Sequence, residues 1–118
     1  LTFGAIKPGG FLSMYCSSKA AMRSLSRSMA EEWAPMGIRV NAIVAGLMVT
    51  ETAAQTYGDA EAQAAVGASM PLGRMGTGDD LAGAVLWLCS PLGGWVSGAR
   101  INVDGGVERP FFLDLVKE

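Results

Sequence analysis

Two long stretches of the chain carry apolar residues at helical spacing. Residues 13–33 repeat them at steps of three and four, which predicts an amphipathic helix with a buried stripe. The stripe consists of Met22, Leu25, Met29 and Trp33. A second helix is predicted over residues 79–90. Its apolar positions are Leu81, Val85 and Leu88. Thr77 and Asp80 resemble a helix start, because a capping hydroxyl followed by an acid suits the helix dipole.

Each long helix is followed by a short segment rich in β-branched residues. Residues 38–44 lack clean alternation, as expected of a strand covered on both faces of a parallel sheet. Residues 99–103 form the second predicted strand. The order helix, strand, helix, strand predicts an α/β fold with a parallel sheet. Two short helices are expected between residues 51 and 68. The apolar tail, residues 107–118, is expected to pack against this chain or a neighbouring one.

The composition places the chain among globular proteins. Of 118 residues, 50% are hydrophobic and 17% are charged, with a net charge of −2. No run of lysine or arginine occurs, which argues against nucleic acid or an anionic membrane surface as a partner. No apolar stretch reaches the length of a membrane span, and the chain does not open with a signal peptide. We therefore expect a cytoplasmic location. Because Leu1 is not methionine, we also expect further sequence upstream.

Histidine and cysteine usage narrows the chemistry. The chain has no histidine, which excludes Ser-His-Asp and Cys-His catalysis within it and makes a zinc site improbable. Cys16 and Cys89 fall in predicted helices and are interpreted as reduced packing thiols, so no metal site is predicted. Acid/base chemistry in this chain must therefore use tyrosine, lysine or a carboxylate.

Tyr15 and Lys19 stand four residues apart at the head of the first helix. Residues at this spacing lie one above the other on one helix face. A free phenol titrates near pH ~10, and a cation beside it favours the phenolate. The pair can therefore act as a general acid/base on an alcohol or carbonyl. The pattern alone also fits a half-packed tyrosine beside a solvated lysine.

Five motifs together resemble the C-terminal half of the short-chain dehydrogenase/reductase family. YCSSK at 15–19 resembles the family's Y-x-x-x-K signature, and GIRVNAIVAG at 37–46 is similar to its strand and turn. The remaining blocks are PLGRMGT at 71–77 with Asp80, VSG at 96–98 and NVDGG at 102–106. They occur in the family's usual order. The resemblance implies half of a Rossmann-like, doubly wound parallel sheet, with residues 1–118 forming a single partial domain.

The resemblance also implies a catalytic mechanism. Tyr15 would donate a proton to a substrate carbonyl, or accept one from the alcohol, while a hydride passes to or from a nicotinamide. Lys19 would lower the pKa of Tyr15 and hydrogen-bond the nicotinamide ribose. The family's third catalytic residue, a serine, lies about a dozen residues before the tyrosine. Thr2 occupies that place and has the required hydroxyl. Ser13 is nearer, but it is expected to start the helix.

The resemblance assigns cofactor contacts to the main chain after the first strand, at Gly46, Met48 and Thr50, with Tyr15 and Lys19 as the other cofactor-binding residues. The cofactor would be NAD or NADP. Residues 47–70 would form the substrate lid over a small-molecule alcohol or ketone. Two family prolines are replaced, by Ala45 and Gly78, which loosens these turns.

The Gly-rich strand-to-helix turn that binds a pyrophosphate does not occur in this sequence. The main hypothesis is therefore an oxidoreductase represented by its catalytic half and inactive as this piece alone. An alternative is a non-catalytic, oligomerising remnant of that fold, because its central strand lacks parallel neighbours. A third is an unrelated α/β binding domain. The family resemblance further implies a homo-oligomer, a dimer or tetramer.

Overall fold

The computed structural model describes residues 10–107, and these form four α-helices and two strands. Helix α1 spans Ser13–Glu32, and a short 3-10 turn at Ala34–Met36 follows it. The remaining elements are strand β1 at Ala42–Ala45, helix α2 at Ala53–Tyr57, helix α3 at Ala60–Ala68, helix α4 at Gly78–Cys89, a 3-10 turn at Pro91–Gly93 and strand β2 at Arg100–Val103. Thr2 and the tail beyond Val107 lie outside the described residues.

The two strands pair in parallel, with Ile43 opposite Ile101. A parallel pair requires a crossover connection, which the segment from α2 to α4 supplies. Val44 is the most buried side chain here, with 1% of its surface exposed. The predicted α/β fold with a parallel sheet is therefore confirmed.

Strand β1 begins at Ala42, four residues later than the sequence predicts. The polar side chains of Arg39 and Asn41, which precede Ala42, explain the difference. Arg39 donates hydrogen bonds to the carbonyls of Leu88 and Val96, at 2.7 and 3.1 Å. The Asn41 side chain donates to Val96 at 2.8 Å and accepts from the Ala99 amide at 3.0 Å. Side-chain hydrogen bonds to the end of α4 and to the loop before β2 thus precede the strand in place of ladder bonds.

The capping prediction at the second long helix agrees with the geometry of α4. The Thr77 amide donates to the Asp80 carboxylate at 2.7 Å, and the Thr77 hydroxyl donates to it at 3.1 Å. These bonds satisfy donors that a helix start leaves unpaired. The helix begins at Gly78, one residue before the predicted start.

The predicted buried stripe of α1 is wrong for the described residues. Met22 is 49% exposed and Leu25 57%, and Trp33 lies at 36%. The apolar positions of a helix are buried only where another element covers them. Within residues 10–107, Met22 borders an open groove beside β1 and α4, Met29 is half-buried, and no element packs closely enough to bury the stripe.

No described helix combines the length and the apolar character needed to cross a membrane. Within residues 10–107 no cluster of three acidic or cysteine side chains could hold a metal ion.

Candidate active site

The first turns of α1 bring Tyr15 and Lys19 together. The Lys19 ammonium nitrogen lies 5.6 Å from the centroid of the Tyr15 ring, within the range of a cation–π contact. Tyr15 is 45% exposed, so its hydroxyl is accessible from solvent. The ammonium also approaches the Met22 sulfur, at 4.0 Å. The predicted pair therefore shares one exposed helix face.

The neighbours of Tyr15 keep this face open. Cys16, the next residue along the helix, points to a different side of α1 and is buried, with 4% of its surface exposed. The Ser18 hydroxyl donates to the Tyr15 carbonyl at 2.8 Å, the usual back-bond of a serine within a helix. Ser13 is the first residue of α1, the place expected for it.

The three residues predicted to contact a cofactor lie on one segment after β1. The Gly46 amide donates to the Val103 carbonyl at 3.0 Å, which ties the end of β1 to the end of β2. Met48 forms an isolated parallel bridge with Gly76. Thr50 is exposed, and its hydroxyl lies 3.3 Å from that of Thr52.

Gly46 lies where no side chain fits. A Cβ atom placed there would stand 2.7 Å from Asp104 Cα and 2.9 Å from the Asp104 carbonyl oxygen. These distances are well inside van der Waals contact. Glycine at this position therefore permits the close approach of the two strand ends.

Tyr57, at the end of α2, is a residue whose role the sequence reasoning missed. Burial raises the pKa of Tyr57, and the charge of Tyr15 raises it further. Tyr57, which lies in the segment predicted as a substrate lid, is therefore within electrostatic range of Tyr15. Only its position in that segment could have suggested this from sequence.

The ion pair between Arg74 and Asp80 is a second feature that motif matching did not interpret. The guanidinium donates two hydrogen bonds of 2.8 Å, one to each carboxylate oxygen. This contact, followed by the Thr77 amide, holds the pKa of Asp80 well below its usual range. A bidentate pair of this kind fixes the relative orientation of both groups.

Two concave regions accompany these features. A cleft of about 360 Å³ separates the segment after β1 from the turn after β2, and its walls include Met48, Met70, Arg74 and Asp104. Tyr15 and Lys19 do not line it. A groove of about 520 Å³ runs along β1 between α1 and α4. Neither region contains both parts of the predicted site.

Comparison with known proteins identifies the class of protein to which this chain belongs. The family described as "Enoyl-(Acyl carrier protein) reductase" matches residues 2–108. The chain belongs to the short-chain dehydrogenase/reductase family, and the resemblance drawn from its motifs is confirmed.

Individual relatives agree with this assignment. The chain is similar to protein FixR of Bradyrhizobium diazoefficiens, with 44% identity over 80% of this chain and 32% of the relative. It is also similar to 3beta-hydroxysteroid dehydrogenase 1 of Eggerthella lenta, with 40% identity over 86% of this chain and 39% of the relative. The chain thus spans less than half the length of these relatives.

Among solved structures, the chain resembles a short chain dehydrogenase/reductase family protein with a TM-score of 0.77 and 37% identity, over 89% of this chain and 42% of that one. It also resembles an NADPH-bound short chain oxidoreductase from Pseudomonas aeruginosa, described as containing an atypical catalytic center. The TM-score is 0.82 with 34% identity, and the match covers 92% of this chain and 44% of that one.

Proposed function

We propose that the chain is the acid/base and substrate-lid part of an oxidoreductase that interconverts an alcohol and a ketone. The observation that carries the proposal is the Lys19 ammonium, 5.6 Å from the ring centroid of an accessible Tyr15. A phenol hydroxyl with an ammonium beside it is a pair of groups that general acid/base catalysis on an alcohol or carbonyl uses. Membership of the short-chain dehydrogenase/reductase family supports this proposal.

The proposed roles follow from the chemistry of each side chain. The Tyr15 hydroxyl protonates the substrate carbonyl oxygen during reduction and accepts the alcohol proton during oxidation. Lys19 stabilises the anionic form of Tyr15. Thr2 holds the substrate oxygen by a hydrogen bond. The lid over residues 47–70 covers the substrate.

The residues present fit one part of a nicotinamide cofactor, NAD or NADP. Lys19 and Tyr15 are donors that suit ribose hydroxyls, and the main chain at Gly46, Met48 and Thr50 would meet the carboxamide and phosphates. When bound, the nicotinamide supplies or accepts the hydride. A Gly-rich turn for the pyrophosphate is not encoded in these 118 residues. We therefore propose that the chain alone does not turn over substrate.

Substitution of Tyr15 by phenylalanine tests the proposal in the complete polypeptide that carries this chain. Tyr15→Phe removes the proton-transfer group while keeping the ring beside Lys19. We expect turnover to fall by at least about a hundredfold, with cofactor affinity largely retained. Turnover by the Tyr15→Phe variant close to that of the wild type would refute the role of Tyr15. Loss of folding, seen by circular dichroism, would assign Tyr15 to structure instead.

A second candidate function is a non-catalytic, oligomerising remnant of the fold. It is favoured by the exposed apolar side chains on the two long helices, among them Leu25 on α1 and Leu86 on α4, at 57% and 70% exposure. Exposed apolar surface of this kind marks association sites. In the complete polypeptide that carries this chain, NADH and NADPH distinguish the two functions, because a bound cofactor raises the unfolding temperature. No shift at saturating cofactor, together with a dimer or tetramer in sedimentation, would favour the remnant.

A further inference from the structure

The Asp80 carboxylate stabilises the turn before α4 by accepting several hydrogen bonds. Asp80 accepts hydrogen bonds from both terminal nitrogens of Arg74, each at 2.8 Å, and from the amide and hydroxyl of Thr77 at 2.7 and 3.1 Å. Arg74 also donates to the Met75 carbonyl at 3.1 Å. Met75 itself is buried, with 6% of its surface exposed. Residues 74–80 therefore form one braced turn.

The braced turn holds the segment after β1. The Gly76 amide donates to the Leu47 carbonyl at 2.9 Å, and the Val49 amide donates to the Gly76 carbonyl at 2.8 Å. Gly76 also lies against Met48, since a Cβ atom at Gly76 would stand 2.6 Å from the Met48 sulfur. A displacement of Gly76 would therefore move the main chain from Leu47 to Val49.

We propose that Arg74 and Asp80 are positioning residues for the cofactor-contacting segment at residues 46–50. They act through Gly76 and do not touch the cofactor. This inference depends on the proposed function, which assigns that segment to the nicotinamide. Strand β1 ends at Ala45. The next residue, Gly46, makes the last hydrogen bond from this segment to β2, through its amide. Beyond that bond, the bridge to Gly76 determines the path of the segment.

The exposure of the ion pair separates positioning from stability. The side chains of Arg74 and Asp80 are 58% and 30% exposed. Exposed pairs contribute little to folding free energy, because water screens them. A variant that breaks the pair should therefore remain folded while the segment after β1 loses its fixed path.

The test compares Arg74→Met and Arg74→Lys with Arg27→Met in the complete polypeptide. Arg27 is the control, because its side chain is about as exposed as that of Arg74, at 61% against 58%, and its pair with Glu31, at 3.0 Å, lies on α1 away from the turn. For Arg74→Met we expect the cofactor KM to rise about tenfold, because a small misplacement of binding groups has effects of this size. The substrate KM should change by less than about twofold. Arg74→Lys keeps the positive charge but cannot donate two parallel hydrogen bonds to the carboxylate. Its cofactor KM should therefore lie between those of the wild type and Arg74→Met. Arg27→Met should change neither constant.

Amide hydrogen exchange provides a readout that does not depend on activity. In Arg74→Met, exchange at Gly76 and Val49 should accelerate, while exchange at Ile43 and Ile101 stays unchanged. Unchanged exchange at Gly76 and Val49, or an unchanged cofactor KM in an active enzyme, would overturn the inference. Acceleration at all four amides would also overturn it, because Arg74 would then serve general stability. If the wild type binds no cofactor, the proposed function is refuted. Amide hydrogen exchange would then still show whether Arg74 holds the main chain at Val49 in place. If Arg74→Met fails to fold, Arg74→Gln replaces it.

Discussion

Substitution of Gly46 by alanine should destabilise the fold, because the added methyl group has no room. The new Cβ atom would lie 2.7 Å from Asp104 Cα, 2.9 Å from Asp104 Cβ and 2.9 Å from the Asp104 carbonyl oxygen. Favourable carbon contacts lie at about 3.5–4.0 Å, so the overlap is about 1 Å. Two of the three opposing atoms belong to the backbone and cannot rotate away. The end of β1 or the turn after β2 must therefore move.

The magnitude follows from this overlap. Overpacking against a fixed backbone costs about 1–3 kcal/mol. The same movement strains the 3.0 Å bond from the Gly46 amide to the Val103 carbonyl. A lost hydrogen bond adds about 1 kcal/mol. We expect Gly46→Ala to lower the free energy of unfolding by about 2–4 kcal/mol.

Urea unfolding followed by far-ultraviolet circular dichroism measures this loss. Gly83→Ala is the matched control, because a Cβ atom at Gly83 meets nothing within 4 Å and the residue lies inside α4. Alanine in a helix interior should raise stability by about 0.5–1 kcal/mol. If Gly46→Ala unfolds within about 0.5 kcal/mol of the wild type at the same m value, the close approach of the strand ends is refuted.

Two further predictions concern the core and the braced turn. Val44→Ala truncates a side chain that is 1% exposed, and it should lower the free energy of unfolding by about 1.5–3 kcal/mol in the same urea assay. A decrease below about 0.5 kcal/mol would contradict the burial of Val44. The Arg74 contact depresses the pKa of Asp80, so its stabilisation is complete above the ordinary value of 3.8 and is lost only as the pH falls below it. Asp80→Asn should therefore lower the melting temperature at neutral pH, and the difference should narrow in acid. A difference that stays constant down to the acid transition would rule out this linkage.

The parts of the fold that the sequence predicts are those set by local spacing. Helix α1 begins at Ser13 as predicted, and its i and i+4 positions bring Lys19 to Tyr15 without help from the rest of the chain. The capping residues of α4 follow the same rule, because Thr77 and Asp80 interact across one helical turn. Local geometry of this kind can be derived from residue order alone.

The parts that the sequence does not predict depend on distant partners. The start of β1 was misplaced because Arg39 and Asn41 bond to residues 88–99 through side chains, and no residue pattern reveals such pairs. The stripe of α1 was predicted as buried because its periodicity is that of a packed helix. Periodicity identifies the apolar face but says nothing about which element covers it.

The candidate site likewise has one part that depends on local spacing and one part that depends on distant contacts. Its proposed proton chemistry would reside in two side chains on one helix turn, Tyr15 and Lys19, so it needs only that α1 is helical. Its proposed cofactor contacts are main-chain groups, whose positions depend on Gly46 against Asp104 and on Gly76 against Leu47 and Val49. Main-chain groups carry no residue signature, so motif matching can locate the segment but cannot explain what holds it. Substitutions at Tyr15 should therefore change the chemical step, whereas substitutions at Arg74, Gly46 and Gly76 should change cofactor binding. An enzyme in which both sets of variants changed the same kinetic constant would refute this division.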